Sequence, residues 1–117
     1  MLVSKPRSTF TRVPIASGQT IVAGKAVNIT NGEAHLADKD SDKITHGFCK
    51  GVDGSYAIIQ VDGKINVDYS VSLVPYWLST SGGLSTTAPT EGVVQKVAEG
   101  LTSSSLLITI DNTVILL

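Results

Sequence analysis

The sequence predicts an all-β domain, and three observations point to it. Val, Ile and Thr, which favour strands, make up 35 of the 117 residues. Ser, Thr and Gly, which favour turns, make up 36. Short apolar segments are separated by turn dipeptides such as Asn31-Gly32 and Asp53-Gly54. A chain of this length is expected to form one domain with a single hydrophobic core.

Residues 1–14 differ in character from the rest of the chain. The segment contains no acid, since the first acidic residue is Glu33, and its basic residues are Lys5, Arg7 and Arg12. Pro6 and Pro14 favour extended backbone. We expect residues 1–14 to form an extended basic N-terminal arm that orders along a partner of complementary charge, and residues 15–117 to form the β domain. A disordered tail is the alternative.

Five strands are predicted in the first part of the β domain. They cover residues 25–30, 33–36, 44–52, 55–61 and 64–69. Asn31-Gly32 predicts a tight hairpin between the first two, and Asp53-Gly54 and Asp62-Gly63 predict turns between the later strands. Ile58 and Ile59 are adjacent and therefore point to opposite faces, which predicts that their strand is covered on both sides.

The stretch 74–97 predicts a second hairpin. We expect the other segments of the chain to be arranged around it. Its strands, 75–79 and 84–87, flank Gly82-Gly83, a pair that can take positive φ. Pro89 then ends the pairing because proline has no N–H for a strand ladder, and an apolar strand over 93–97 follows. We expect the residues before this hairpin to form an opposing sheet.

The end of the sequence predicts an exposed apolar edge. Strands over 106–110 and 113–117 are expected to form a hairpin through Asp111-Asn112. Because a free apolar edge invites pairing, we expect the chain to self-associate. The candidate subunit-interface residues are Tyr76, Trp77, Ile115 and Leu117. A core or interface position is favoured for Trp77, and a sugar-stacking platform is the alternative.

Charge and cysteine content exclude several classes of protein. The net charge of −1 and the pI near 6.0 argue against a nucleic-acid-binding protein, which needs a basic face. Cys49 is the only cysteine, so an intrachain disulfide is not expected. No apolar run approaches the length of a bilayer span or a secretory signal. The expected product is soluble and made in the cytoplasm.

The sequence shows no pattern typical of a catalytic or metal site. Asp38, Asp40 and Asp42 imitate the start of a calcium loop, but Lys43 stands where glycine is needed and Cys49 where a bidentate acid is needed. His46 and Cys49 are three residues apart, without a second pair of zinc ligands. Neither a nucleophile elbow nor a phosphate-binding loop occurs. We expect no enzymatic activity, no cofactor and no metal.

Five segments form a recognisable pattern when they are taken together. They are IASGQTIVAGKAVNIT (15–30), HGFCKGV (46–52), YWLST (76–80), GGLSTTAPT (82–90) and VVQKVA (93–98). This pattern resembles the head decoration, or capsid cement, proteins of tailed bacteriophages and the related small domains of head and tail fibres. The hairpin carries the most specific part of the pattern, and the similarity extends over about residues 15–110.

The resemblance implies a compact β-clip or barrel-like or sandwich-like module that forms homotrimers. Its partner would be the major capsid protein, bound from outside the shell after assembly in the host cytoplasm. The family supplies no catalytic or cofactor-binding residues. The basic arm suggests that Lys5, Arg7, Phe10 and Arg12 contact an acidic capsid surface.

Two alternative functions remain open at the level of sequence. A phage head-fibre, tail-fibre or receptor-binding domain belongs to the same class of virion proteins, although the chain has no stalk-forming repeat. A small ligand-binding or hydrolase domain belongs to another class. It would be revealed by a response of Trp77 fluorescence to sugars.

Overall fold

The computed structural model describes residues 10–111 and 113–117, which form twelve strands and no helix. The strands are β1 (Phe10–Pro14), β2 (Ala26–Thr30), β3 (Glu33–Leu36), β4 (Gly47–Asp53), β5 (Tyr56–Gln60), β6 (Gly63–Asn66), β7 (Pro75–Leu78), β8 (Leu84–Ser85), β9 (Val93–Val94), β10 (Lys96–Thr102), β11 (Ser105–Ile108) and β12 (Ile115–Leu116). All strand pairs are antiparallel, and the predicted all-β class is confirmed.

The first sheet has the order β1-β5-β4-β2-β3 and curls into a small barrel. Its edge strands approach each other, because Ile15 forms a parallel bridge to Ala34 and the Ala16 N–H donates to the Ala34 carbonyl at 3.0 Å. The predicted hairpin between β2 and β3 is present, with positive φ at Asn31 (52°) and Gly32 (74°), as its two-residue turn requires.

The barrel encloses a hydrophobic cluster of its own. The buried members are Val13, Ile21, Val27, Ala34, Cys49, Ala57 and Ile59. Ile21 reaches this cluster from the loop between β1 and β2. The last five residues of the predicted arm, Phe10–Pro14, form β1 and supply Val13 to the cluster. Residues 10–14 of the predicted arm therefore belong to the barrel sheet.

The second sheet has the order β6-β11-β10-β7-β8 and packs against the outside of the barrel. A second buried cluster joins the two units. It contains Ala26, Ala37 and Phe48 from the barrel side and Ile65, Tyr76, Leu78, Val97, Ala98, Leu106 and Ile108 from the second sheet. The expected single core is thus wrong: strands such as β4 bury one face inside the barrel and the other against the second sheet.

The hairpin of β7 and β8 confirms the prediction for this stretch, apart from its turn. Trp77 pairs with Ser85, and Leu78 with Leu84. Positive φ occurs at Ser81 (52°) and Gly82 (73°), not at Gly83. A Cβ on Gly82 would lie 2.8 Å from the Leu36 Cδ2 and 3.0 Å from the Ala26 carbonyl, so glycine is needed where the turn meets the barrel.

Two predicted pairings and one predicted strand are wrong because non-local partners compete with local ones. The strand after Asp62-Gly63 leaves the barrel, and β6 pairs with β11 in the second sheet. The segment 93–97 divides into β9 and β10, which belong to different sheets. β11 forms its hairpin with β10, whereas β12 pairs with β9, so the expected hairpin of the last two strands is absent from the described residues.

Candidate functional site

The predicted arm residues that the structure describes lie on the outer face of β1, at one edge of the open barrel sheet. The Arg12 guanidinium lies 4.5 Å from the centre of the Tyr56 ring and 3.5 Å from the Asp53 carboxylate. The Arg12 and Asp53 side chains are 58% and 67% exposed, so this ion pair is solvated and stabilises the fold little. Arg12 can therefore exchange Asp53 for an acid on a partner at small cost.

A second cation and ring pair extends this face. The Lys50 Nζ lies 4.1 Å from the centre of the Phe10 ring, and Phe10 is 47% exposed. These two residues, with Lys64 of β6, border a groove of about 270 Å³ between the barrel and the second sheet. We call Phe10, Arg12, Lys50 and Tyr56 the β1 face. Lys5 and Arg7, which were predicted with it, lie outside the described residues.

Tyr76 and Trp77 occupy opposite faces of β7. Tyr76 is 7% exposed and belongs to the cluster between the sheets, where its hydroxyl accepts the Ser72 N–H at 2.9 Å. Its prediction as a subunit-interface residue is corrected, because the side chain is covered by its own subunit. Trp77 points outward, half-buried, opposite Lys96 and Ser85. Trp77 therefore stays available to a partner.

The end of the chain carries the most exposed apolar side chains of the described residues, apart from Leu73. Ile115, Leu116 and Leu117 are 55%, 66% and 67% exposed. β12 pairs only with β9, in a sheet of two strands, so its other edge has no strand partner in the described chain. Successive strand residues point to opposite faces, and since Ile115 and Leu116 are both exposed, both faces of β12 are in contact with solvent. We call residues 115–117 the C-terminal edge. Leu116 lies in the strand 113–117 that was predicted to form an exposed apolar edge, although it was not among the candidate interface residues.

A pocket of about 260 Å³ lies where the barrel meets the second sheet, and the sequence did not predict it. Its walls are Gly24, Lys25, Tyr69, Ser70, Tyr76, Gly82, Gly83 and Leu84. We call it the inter-sheet pocket. The Tyr69 hydroxyl donates to the Gly24 carbonyl at 3.1 Å. Burial, reinforced by nearby Tyr76 and Asp68, raises the pKa of Tyr69 to about 12, so this phenol is neutral at pH 7. The lining residues come from four separate segments, and no local sequence signal unites them.

The residues weighed at the sequence level as metal ligands have other contacts. The Asp38 carboxylate accepts the N–H groups of Asp40 and Ser81 at 2.8 and 3.1 Å and so holds its loop together. The His46 Nδ1 accepts the Ile29 N–H at 2.8 Å, and partial burial lowers the pKa of His46. Burial inside the barrel raises the pKa of the Cys49 thiol. The described residues contain no group of three or more His, Cys, Asp or Glu side chains placed to hold a metal ion.

Comparison of the chain with protein-family models, with curated proteins and with solved structures found no match. Within residues 10–111 and 113–117, no helix has the length and apolar character needed to cross a bilayer.

Proposed function

We propose that this chain is a structural protein of a bacteriophage virion, a capsid decoration or cement protein that binds the outer capsid surface as a homotrimer. The observation that carries the proposal is the C-terminal edge, where three consecutive large aliphatic side chains stand more than half exposed on a strand with an open edge. An exposed apolar surface on an open strand edge promotes association, so it favours pairing with another chain. The resemblance of the hairpin and its flanking segments to the decoration proteins supports the major capsid protein as the partner.

The energy available at the C-terminal edge suits assembly through several contacts. Covering a large aliphatic side chain completely stabilises a complex by about 1.5–3 kcal/mol. Ile115, Leu116 and Leu117 have already lost part of that exposure in the subunit, so together they offer roughly 3–5 kcal/mol per contact. One contact of this size lies at or below the low end of the cost of association. A closed ring of three subunits has three contacts for only two associations, so ring closure adds a contact without a further association cost.

Binding to the shell would use the β1 face together with residues 1–9. In a trimer this surface is presented three times, so weak contacts with an acidic capsid surface combine through a high effective concentration. The Arg12 guanidinium and the Lys50 ammonium, both on exposed side chains, supply the complementary charge. A trimer that binds only the expanded shell stabilises that state by its difference in affinity for the two states.

Sedimentation velocity of the purified chain tests the oligomer. We expect the unmodified protein to sediment as a trimer at micromolar concentration and Leu116→Lys to sediment as a monomer. Leu73→Lys is the matched control, because Leu73 is 70% exposed and Leu116 66%, yet Leu73 lies outside the C-terminal edge. A monomeric unmodified protein, or equal loss of the trimer in both variants, would contradict the proposal.

Cosedimentation with phage capsids prepared without this protein tests capsid binding. Deletion of residues 1–9 and the substitution Arg12→Gln should each lower the occupancy of the capsids while leaving the trimer intact. Lys43→Gln is the control, since Lys43 lies in a loop away from the β1 face. Absence of the unmodified protein from the capsid pellet would refute the decoration function.

A further inference from the structure

We propose that the inter-sheet pocket binds a carboxylate group. The volume of about 260 Å³ is smaller than the roughly 300–1,000 Å³ of pockets that enclose whole drug-sized ligands. It therefore suits one functional group with a short stem, as on a small organic acid or on an acidic side chain. Carboxylate binding at this site is independent of the proposed capsid binding.

Four carbonyls of the pocket wall each already accept one hydrogen bond, which lowers the acceptor capacity of the pocket. The Gly24 carbonyl accepts the Tyr69 hydroxyl, and the Lys25 carbonyl accepts the Cys49 N–H at 2.9 Å. In the turn opposite, the Gly82 and Gly83 carbonyls accept the N–H groups of Ala26 and Ser79, each at 2.9 Å. A ligand that needs acceptors, such as an ammonium group, would find only the second lone pair of each of these oxygens, because each already accepts one hydrogen bond.

The side chains of the pocket, in contrast, offer donors. Tyr76 accepts the Ser72 N–H, and the hydrogen of its own hydroxyl has no acceptor among the described residues although the side chain is only 7% exposed. Lys25 is half-buried and forms no ion pair within the described chain. The hydroxyl of exposed Ser70 also has no partner there and is hydrated in the free protein. The buried Tyr76 donor, with Lys25 and Ser70 in the same lining, favours a ligand rich in acceptor oxygens.

Charge selects an anion among such ligands. Lys25 is the only charged residue in the lining, and its ammonium attracts a carboxylate and repels a cation. Asp68 lies near Tyr69, outside the lining, and opposes the binding of an anion. Neutral Tyr69 adds no negative charge at pH 7. The balance of these groups predicts modest affinity for a carboxylate and tighter binding when Asp68 is neutralised.

The walls of the pocket are fixed by two glycines. Gly24 has φ 91°, and a Cβ there would lie 3.1 Å from Cε2 of Tyr69, so the ring packs directly on the backbone. Gly82, on the opposite wall, is pinned to the barrel in the same way. Donors held on such a frame need little reorganisation when a ligand enters.

Backbone amide NMR titration tests the proposal, with sodium acetate, N-acetyl-glutamate N-methylamide and the neutral N-acetyl-glutamine N-methylamide as probes. We expect saturable shifts at the amides of Gly24, Lys25, Gly82 and Gly83 with the two carboxylates, and none with the glutamine derivative. Tighter binding of the glutamate derivative than of acetate would identify an acidic side chain as the source of the group. Equal binding would identify a free small acid. Absence of saturable shifts with both carboxylates, or equal shifts with the neutral probe, would overturn the proposal.

Substitutions in the lining separate specific binding from general charge effects. Lys25→Met should weaken carboxylate binding about tenfold, Ser70→Ala two- to fivefold, and Asp68→Asn should strengthen it two- to fivefold. Lys64→Met is the control, because it removes the same charge outside the pocket and should leave affinity unchanged. Thermal unfolding of each variant establishes that the fold is retained. Equal weakening by Lys25→Met and Lys64→Met would show that only net charge matters and would refute the site.

Discussion

Gln95 joins the two sheets, and its replacement is the sharpest test of the fold. The side chain is 1% exposed and makes three hydrogen bonds. Its Oε1 accepts the Thr45 N–H at 2.7 Å, and its Nε2 donates to the carbonyls of Thr45 and Asp111 at 3.0 and 3.2 Å. A net contribution of about 1 kcal/mol per hydrogen bond predicts that Gln95→Ala lowers the free energy of unfolding by about 3 kcal/mol. The loss includes the cost of leaving the Thr45 N–H buried without an acceptor.

Gln95→Glu distinguishes hydrogen bonding from loss of volume, because glutamate has nearly the same size. At pH 7 a carboxylate oxygen would face the Thr45 and Asp111 carbonyls in place of the amide donor, so a buried negative charge would lie against two carbonyl oxygens. We expect Gln95→Glu to be less stable than Gln95→Ala at pH 7. It should recover part of the loss at pH 4, where a protonated glutamic acid can donate to one carbonyl.

Equilibrium urea unfolding, followed by Trp77 fluorescence and by circular dichroism, measures these changes. Asn66→Ala is the control, since Asn66 is exposed and its side chain makes no hydrogen bond with the described residues. It should change the free energy of unfolding by less than about 0.5 kcal/mol. A loss below about 1 kcal/mol for Gln95→Ala, or a Gln95→Glu variant more stable than Gln95→Ala at pH 7, would refute the reasoning.

Three further predictions concern a close approach and two titrating groups. Gly100→Ala should lower the free energy of unfolding by more than about 2 kcal/mol, because the new Cβ would overlap the Ser72 carbonyl oxygen. Gly51→Ala, whose Cβ would meet nothing within 4 Å, should be neutral or slightly stabilising in the same urea assay. The raised pKa of Tyr69 predicts that the free energy of unfolding does not change with pH below pH 10 and falls between pH 10 and about 12. A full shift of two pKa units corresponds to about 2.7 kcal/mol, and we reduce this loss to roughly 1 kcal/mol because the side chain is 38% exposed. Tyr69→Phe should remove this part of the pH dependence. The lowered pKa of His46 predicts that its contribution to the free energy of unfolding is fully present above about pH 6.5 and is lost as the pH falls, because a proton on Nδ1 displaces the Ile29 N–H. His46→Gln should therefore reduce the loss of stability between pH 6.5 and 5.

Each of these predictions has an outcome that contradicts it. Equal losses in Gly100→Ala and Gly51→Ala would show that the approach to Ser72 is not rigid. If the free energy of unfolding of Tyr69→Phe still fell above pH 10 as in the unmodified protein, the decrease would be due to other groups. An identical acid limb in His46→Gln and the unmodified protein would remove His46 from the acid transition.

Local signals predicted the hairpins, and the failures concern partners distant in the sequence. Asn31 and Gly32 readily adopt the positive φ values that a two-residue hairpin turn requires, so these two residues are enough to predict the pairing of β2 and β3. No local sequence signal determines that β12 pairs with β9 rather than with β11. Tyr76 and Trp77 were both predicted at a subunit interface. Neighbouring strand residues point to opposite faces, and which of the two points inward depends on the barrel packed beneath β7. The inter-sheet pocket was beyond prediction for the same reason, since four distant segments form it.

The division of 93–97 explains why the C-terminal edge is exposed. A continuous strand would have kept Val93 and Val97 in one sheet, with β12 added beside it. Because Gln95 instead turns its side chain to Thr45, β9 pairs with β12 and β10 with β7 and β11. β12 is therefore held away from the second sheet. Gln95→Ala should loosen β12 as well as the fold, so a weaker trimer in that variant does not place Gln95 at a subunit contact. Leu116→Lys, which leaves the Gln95 hydrogen bonds intact, tests the contact itself.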